Sequence, residues 1–319
     1  MKKMRKFMAL SLAVLMVVAA LSGCGSKKEF PSDTITIYVH AAAGGGTDTM
    51  CRQVASLISE AEGWTVACEQ KTGGSGAVMF NFVSGEDADG YTLGSGPCDL
   101  AILDAMGTIN LEDNTMLACT IYWPAALYVA ADAPFNNLDE FVEYCKANPG
   151  EVKLGNSGSG GIWHICAANF AQSAGIEVTH VPYDGAATAL AGALNGEIDG
   201  CIVGTTEGYS YVESGDFKCL GVFDGEESVV LPGVPTAASQ GYDFNFGAWV
   251  GLCAPKDLDE EVRVKLVDAI EKAVASDEYI EFCESRGFTP KFMNTEDFTA
   301  FAQAEAENNK ALLTALGMI

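Results

Sequence analysis

Basic residues are scarce: 18 Lys and Arg stand against 43 Asp and Glu, a formal charge of −25. So acidic a surface excludes nucleic acid and a polybasic contact with anionic lipid, since both need clustered cations. An anionic guest would have to be held by local dipoles, because the global field repels it. Histidine is scarcer still, and His40, His164 and His180 are too scattered to suggest a metal site. Eleven cysteines look like a disulfide or metal inventory, yet the nearest two, Cys51 and Cys68, are far wider apart than a Cys-x-x-Cys unit. Zinc-ribbon and thioredoxin-like readings therefore lack their signature. Cysteines in apolar company, as at Cys119, Cys166, Cys201 and Cys253, read as buried free thiols. There is no G-x-x-x-x-G-K-[ST] phosphate loop, and Gly44-Gly45-Gly46-Thr47-Asp48-Thr49 lacks the third glycine of a dinucleotide fingerprint. Neither Ser75 nor Ser157 stands in a G-x-S-x-G elbow, because Ala77 and Ser159 occupy the last position. No cofactor, metal or catalytic residue is implied, and no internal repeat suggests a solenoid.

Long apolar runs are lacking too. The stretch from Phe7 to Leu21 falls short of the about 20 residues that a spanning helix needs. It lies behind a basic head, Met1-Lys2-Lys3-Met4-Arg5-Lys6, and before Leu21-Ser22-Gly23-Cys24, which is the pattern of an export signal. Leu-Ser-Gly-Cys resembles the lipobox of bacterial lipoproteins. Residues 1–23 are then a removed signal, Cys24 is the acylated first residue and 24–31 form a short polar tether. The chain is expected to be extracytoplasmic and held to the cell membrane by lipid on Cys24. Loss of four bases and no acid takes the mature charge from −25 to −29. Export permits disulfides, but no pair is named by the sequence.

What is present is an α/β rhythm. Thr34 to Val39 alternates and is β-branched, so it reads as a strand. A glycine turn leads to Thr47 or Asp48 as a helix cap, and Cys51, Val54, Ala55 and Ile58 carry the helical period. Asp48 has a structural reading beside Arg52, one turn on. Thr65 to Glu69 and Tyr91 to Leu93 are further strands, each running into glycines. Leu127 to Ala130 is β-like, and the rhythm restarts with a helix over 138–146 and a strand at 152–154. A helix follows from Ile162 through Phe170, then strands at 178–181 and 200–203 around a helix from Ala186 to Leu194. An apolar strand at 246–254 precedes helices over 259–275 and from Thr295 to the end. Such a series predicts a parallel α/β sheet in each of two lobes. The first lobe takes 32–126 and 249–319, the second 127–248, and two crossings make a hinge.

Two segments stand between a strand and a helix: Ala42-Ala43-Gly44-Gly45-Gly46-Thr47-Asp48 and Gly155-Asn156-Ser157-Gly158-Ser159-Gly160-Gly161. Glycine there leaves amide N–H groups uncovered at a helix N-terminus, a ready site for an anion. Tight turns of an ordinary α/β protein are the alternative. A few charge-assisted hydrogen bonds of about 1.5–3 kcal/mol each reach micromolar affinity without a cation. Lys153 is the one basic residue, histidines apart, within the segments assigned to the cleft. His164 falls in the first turn after the second loop, where it either faces the cleft or bonds to backbone.

Read in order, further segments join these two: Gly73-Gly74-Ser75-Gly76, Asp89 to Leu93, His180 to Gly185, Gly196 to Asp199, Leu231 to Thr236 and Trp249 to Leu252. The series resembles the receptors of tripartite tricarboxylate transporters, the TctC-like or Bug family, over nearly all of the mature chain. The resemblance implies a two-lobed, type II periplasmic-binding-protein fold of the Venus-flytrap kind, with a ligand cleft between lobes. It implies a solute-binding receptor, not an enzyme, that hands a small carboxylate to integral-membrane transporter subunits. By position it points to Ala42, Ala43, Gly44, Gly45, Gly46, Thr47 and Asp48, with Ser95 and Gly96, in the first lobe. In the second lobe it points to Ser157, Gly158, Gly160 and His164, with Tyr183 and Gly185 completing the wall. His40-Ala41 replaces the family's proline and aromatic, and Gln70-Lys71-Thr72 its Asn-Arg-Pro. With so few bases a mono- or dicarboxylate is expected in place of citrate. An exported hydrolase-like enzyme and a sensory receptor without transport are the rival readings.

Overall fold

The computed structural model describes residues 29–319; the expected signal, Cys24 and most of the tether lie outside the described residues. A first βα series comprises β1 (Ile35–Val39), α1 (Gly46–Glu62), β2 (Val66–Gln70), α2 (Ala77–Ser84), β3 (Thr92–Pro97) and α3 (Asp99–Ala105). The long β4 (Asn114–Ala130) follows. A second series comprises α4 (Leu138–Ala147), β5 (Lys153–Asn156), α5 (Ile162–Ala174), β6 (Thr179–Pro182), α6 (Ala186–Leu194), β7 (Gly200–Gly204), α7 (Thr205–Ser214) and β8 (Phe217–Val222). The chain then returns through β9 (Gly247–Pro255), α8 (Glu260–Val274), α9 (Asp277–Arg286), β10 (Thr289–Met293) and α10 (Thr295–Ala315).

Strand order is β2-β1-β3-β9-β4-β7-β5-β6, with β8 and β10 also paired to β4. β1 is parallel to β2 and β3, and β5 is parallel to β6 and β7. This is the expected α/β class, but the sheet is mixed and not parallel throughout: β9 runs antiparallel to β3 and β4, and β4 runs antiparallel to β7, β8 and β10. β4 belongs to both halves: it pairs with β9 from Asn114 to Pro124, then with β7 and β8 from Ala125 onward. Pro124 sits at that change of partner, where a residue without an N–H costs the ladder least. Opposite it, a Cβ on Gly247 would lie 2.5 Å from the Trp123 carbonyl and 2.6 Å from the Tyr122 ring. Only a bare backbone lets the strands cross there.

Burial explains the elements. Ile35, Ile37 and Val39 alternate into the core from β1, and α1 turns Met50, Cys51, Val54, Leu57 and Ile58 inward at helical spacing. These residues share one cluster with α8 and α9. A larger cluster runs from α2, α3 and α10 into the second half, where Phe170, Phe223 and Phe244 stack together. Burying each such ring contributes about 1.5–3 kcal/mol. All ten described cysteines are free, eight of them buried, as their apolar surroundings suggest. No helix among the described residues is long and apolar enough to cross a membrane.

Several boundaries differ from the sequence reading. Gly94, Ser95 and Gly96 form no turn; they lie within β3, opposite Cys253, Leu252 and Gly251 of β9. A side chain on Gly96 would press on Met116 at 3.2 Å, so glycine here serves sheet packing. β4 begins 13 residues before the expected Leu127, and α7, β8, α9 and β10 arise in segments read as connections.

Candidate functional site

The first loop leaves β1 at Val39 and enters α1 through Gly45, the N-cap, with no side-chain cap. Thr47 and Asp48 are thus the second and third helical residues and not the cap that the sequence suggested. Asp48 is buried and reaches back: Gly44 N–H donates to its Oδ2 at 2.8 Å, Arg52 Nε bonds it at 3.0 Å and Gln70 Nε2 donates at 2.6 Å. Burial pushes the Asp48 carboxyl up, but the bonds from Arg52, Gly44 and Gln70 outweigh it and hold the pKa below the usual value. Gly44 N–H is therefore spent inside the loop, as is that of Gly45, which bonds Ala42 O at 3.1 Å. The expectation that every amide of this run is bare needs that correction. Ala42, Ala43, Gly46, Thr47 and Asp48 keep N–H groups with no internal partner among the described residues.

His40, at the end of β1, is tied to Ser95. Its N–H donates to Ser95 Oγ at 3.1 Å, and its Nδ1 lies 2.9 Å from the same oxygen. Ser95 is fully buried, so it shapes the loop from beneath. Burial lowers the His40 pKa to about 4, which keeps the ring neutral at physiological pH. A hydroxyl beside an imidazole is the start of a hydrolytic pair, but no carboxylate orients this ring among the described residues, and the hydroxyl already accepts the His40 amide.

The second loop bends through Gly158 (φ 141°) and Gly160 (φ 75°), where a side chain would be strained, and enters α5 through Gly161, again without a side-chain cap. Asn156 Oδ1 accepts Gly158 N–H at 3.1 Å, and its buried Nδ2 has no partner. Gly160 N–H donates to His164 Nδ1 at 3.0 Å, which leaves the ring proton on Nε2. His164 thus takes the backbone-bonded alternative, and the Gly160 amide is not bare. Its ring packs edge-on to His180 with centroids 5.0 Å apart. Burial lowers both, and His180, also opposed by His164, falls to about 4. Ser157, Ser159, Ile162, Trp163 and His164 keep N–H groups without an internal partner among the described residues.

The Tyr183 ring lies against Gly155 at the foot of the loop and fills the place of a Gly192 side chain, and its hydroxyl donates to Glu197 Oε2 at 3.3 Å. Gly185 caps α6 with φ 148° and open space beside it. Lys153 is exposed at the opposite end of β5, about 10 Å of strand from the loop, and so stands outside the site. Gly96 lies in the sheet, paired with Gly251 of β9.

A path of aromatic contacts links the two loops, and the sequence did not reveal it. A Cβ on Gly46 would touch Phe288 at 3.4 Å, and Phe288 stacks on Trp123 with centroids 5.0 Å apart. Trp123 and Trp163 come within 3.0 and 3.1 Å of the Cβ position of Gly204. Gly204 caps α7 and donates its N–H to Glu207 Oε2 at 2.7 Å. The helix starts at Gly46, Ile162 and Thr205 are thus joined by a floor of three rings, two of which meet at the bare Gly204, drawn from both halves of the molecule. Gly204-Thr205 repeats the Gly45-Gly46 junction, but without a glycine run it gave little sequence signal. Arg52 is the cation nearest these amides along the chain, and Asp48 neutralises it.

Comparison with known proteins agrees with this architecture. Residues 50–318 match the family profile described as tripartite tricarboxylate transporter family receptor. A UPF0065 protein of Cupriavidus necator is 29% identical over 304 residues, covering 94% of this chain and 93% of its own. A solved TctC solute-binding protein from Polaromonas is 30% identical with a TM-score of 0.83, covering 90% of this chain and 99% of that one. An R. palustris protein solved with adipate shares the fold at 24% identity and a TM-score of 0.72, over 91% and 99% of the two chains. With the match running from the first turns of α1 to the end of α10, this chain belongs to the tripartite tricarboxylate transporter receptor family.

Proposed function

We propose that this chain is an extracytoplasmic receptor that captures a small carboxylate between two lobes and presents it to membrane transporter subunits. The lobes are residues 32–126 with 249–319, and residues 127–248. Cys24 carries the lipid that holds the receptor to the membrane. One observation carries the ligand class: glycine-capped starts of α1 and α5 stand at either end of the aromatic floor with unspent amides. Each such end favours an anion by about 0.3–1 kcal/mol, and by about 2 when partly buried. Ala42, Ala43, Gly46 and Thr47 are the donors on one side, Ser157 and the first turn of α5 on the other. Gly44, Gly45, Asp48, Ser95, Gly160 and His164 hold those donors in place, and Gly158 and Gly185 give the backbone its turns. A dicarboxylate suits two dipole ends without cations better than a tricarboxylate does. Adipate, found in a protein of the same fold, is the first probe.

The test is a thermal-shift series with adipate, shorter dicarboxylates, monocarboxylates and citrate. A dicarboxylate is expected to raise the melting temperature most. A Gly45→Leu chain should stay folded and lose that rise, because its Cβ would press on Ala42 O at 3.2 Å. If no carboxylate shifts the transition while a hydrolase screen yields product, the receptor reading gives way to the enzyme.

A further inference from the structure

Gly287 ends α9 with φ 69° and carries the chain toward β10. A Cβ built on it would lie 2.5 Å from Val230 Cγ1 and 2.6 Å from Thr206 Cγ2, far inside contact distance. These neighbours belong to the other half of the molecule. α9 and β10 pack on α1, α8 and the first part of β4, whereas Thr206 opens α7, which packs on β7 and β8. Val230 lies in the segment after β8 and packs against the core of the second half. The C-terminal end of α9 thus abuts the N-terminal end of α7, ends of opposite polarity that attract. The next residue, Phe288, is the ring that adjoins Gly46 and stacks on Trp123. The separation of the lobes at Gly287 therefore fixes the aromatic floor as well.

We propose that Gly287 is a positioning residue for lobe closure: having no side chain, it lets α9 and α7 meet, and so sets how closely the cleft walls approach the ligand. The proposal rests on the two-lobed receptor reading. A single methyl at this point acts as a wedge. Beside it, Tyr209, Val229 and Pro232 face Glu284 and Arg286 across an open groove, so at this point Gly287 is where the two halves come into contact. Small wedges then translate directly into separation.

Gly215 provides the control. It ends α7 in the same left-handed way, with φ 81°, and nothing lies within 4 Å of its Cβ position. Gly287→Ala and Gly215→Ala impose like backbone strain and should lower the melting temperature alike. Two readouts separate them: the radius of gyration of the ligand-free protein by small-angle scattering, and the affinity for adipate or for whichever dicarboxylate shifts the wild-type chain most. Gly287→Ala is expected to expand the protein and to weaken binding by about tenfold or more, as a penalty on the competent closed state requires. Gly215→Ala should change neither. Adding Val230→Ala and Thr206→Ser to Gly287→Ala removes both opposing methyls and should restore compactness and most of the affinity. Equal behaviour of the two glycine variants, or no rescue, overturns the proposal. If the wild-type chain binds no carboxylate, the ligand reading fails, and the scattering comparison still decides the wedge.

Discussion

The two glycine loops do the same work with opposite chemistry. Both expose amides at a glycine-capped helix start, and both spend part of their own amides on a side chain from the first turn of that helix. In the first loop the clamp is an ionised carboxylate, Asp48, which holds Gly44, Arg52 and Gln70. In the second it is a neutral ring, His164, which holds Gly160 and packs on His180. The lesson is that a bare-amide site needs buried acceptors nearby to fix its shape. An anion in that role needs a cation, here Arg52, to cancel its repulsion of the ligand, and a neutral imidazole does not.

Removing the anionic clamp has the largest effect. Asp48→Ala leaves three donors without their acceptor and should cost about 3 kcal/mol in urea unfolding, with adipate binding lost. His164→Ala leaves the half-buried Gly160 amide without its acceptor, a cost of about 1 kcal/mol, so a loss equal to that of Asp48→Ala would erase the contrast.

Acid should separate the loops in a second way. The unfolded chain takes up protons near the ordinary histidine value of 6.5, whereas folded His40 and His180 refuse them until about pH 4. Stability therefore falls as pH drops from about 6.5 to 4, and it falls less in a His180→Phe chain. Asp48 behaves in the other sense: with a folded pKa below 3.8, its stabilisation is whole above that value and is lost only as pH falls through the folded pKa. Urea midpoints measured across pH 3–7 read both windows; a His180→Phe chain with an unaltered slope above pH 4 would contradict the assignment. The smallest effect is expected from Tyr183→Phe. Its hydroxyl meets Glu197, so adipate affinity should stay within about twofold and stability within about 0.5 kcal/mol. A larger loss of affinity by calorimetry would return Tyr183 to the cleft wall.

Elements whose pattern is local were legible in the sequence. α6 from Ala186 to Leu194 and β1 follow from apolar spacing and β-branched alternation, and the glycine turns mark both helix starts. β4 was cut short because it is buried on both faces and so shows no alternation, and because Pro124 argues against a continuous strand. α7 and α9 carry Ser and Glu, and α7 also a Gly, with few apolar residues, and tertiary contacts give them their helicity. In the site, the loops could be read but the floor could not. Phe288, Trp123, Trp163 and Gly204 are far apart in sequence and meet only when β4 crosses between the halves. Ser95 and Tyr183 were placed at the cleft by their order along the chain alone, which did not reveal that their hydroxyls bond His40 and Glu197.

The ten reduced thiols have a consequence for the life of the protein outside the cytoplasm. Burial pushes Cys119 and Cys253 up to about 12, so the native chain presents almost no thiolate to an oxidant. Every one of those sulfurs regains a value near 8.5 once the chain opens, and its thiolate is then open to disulfide exchange. Its durability in an oxidising milieu is accordingly set by how seldom it unfolds.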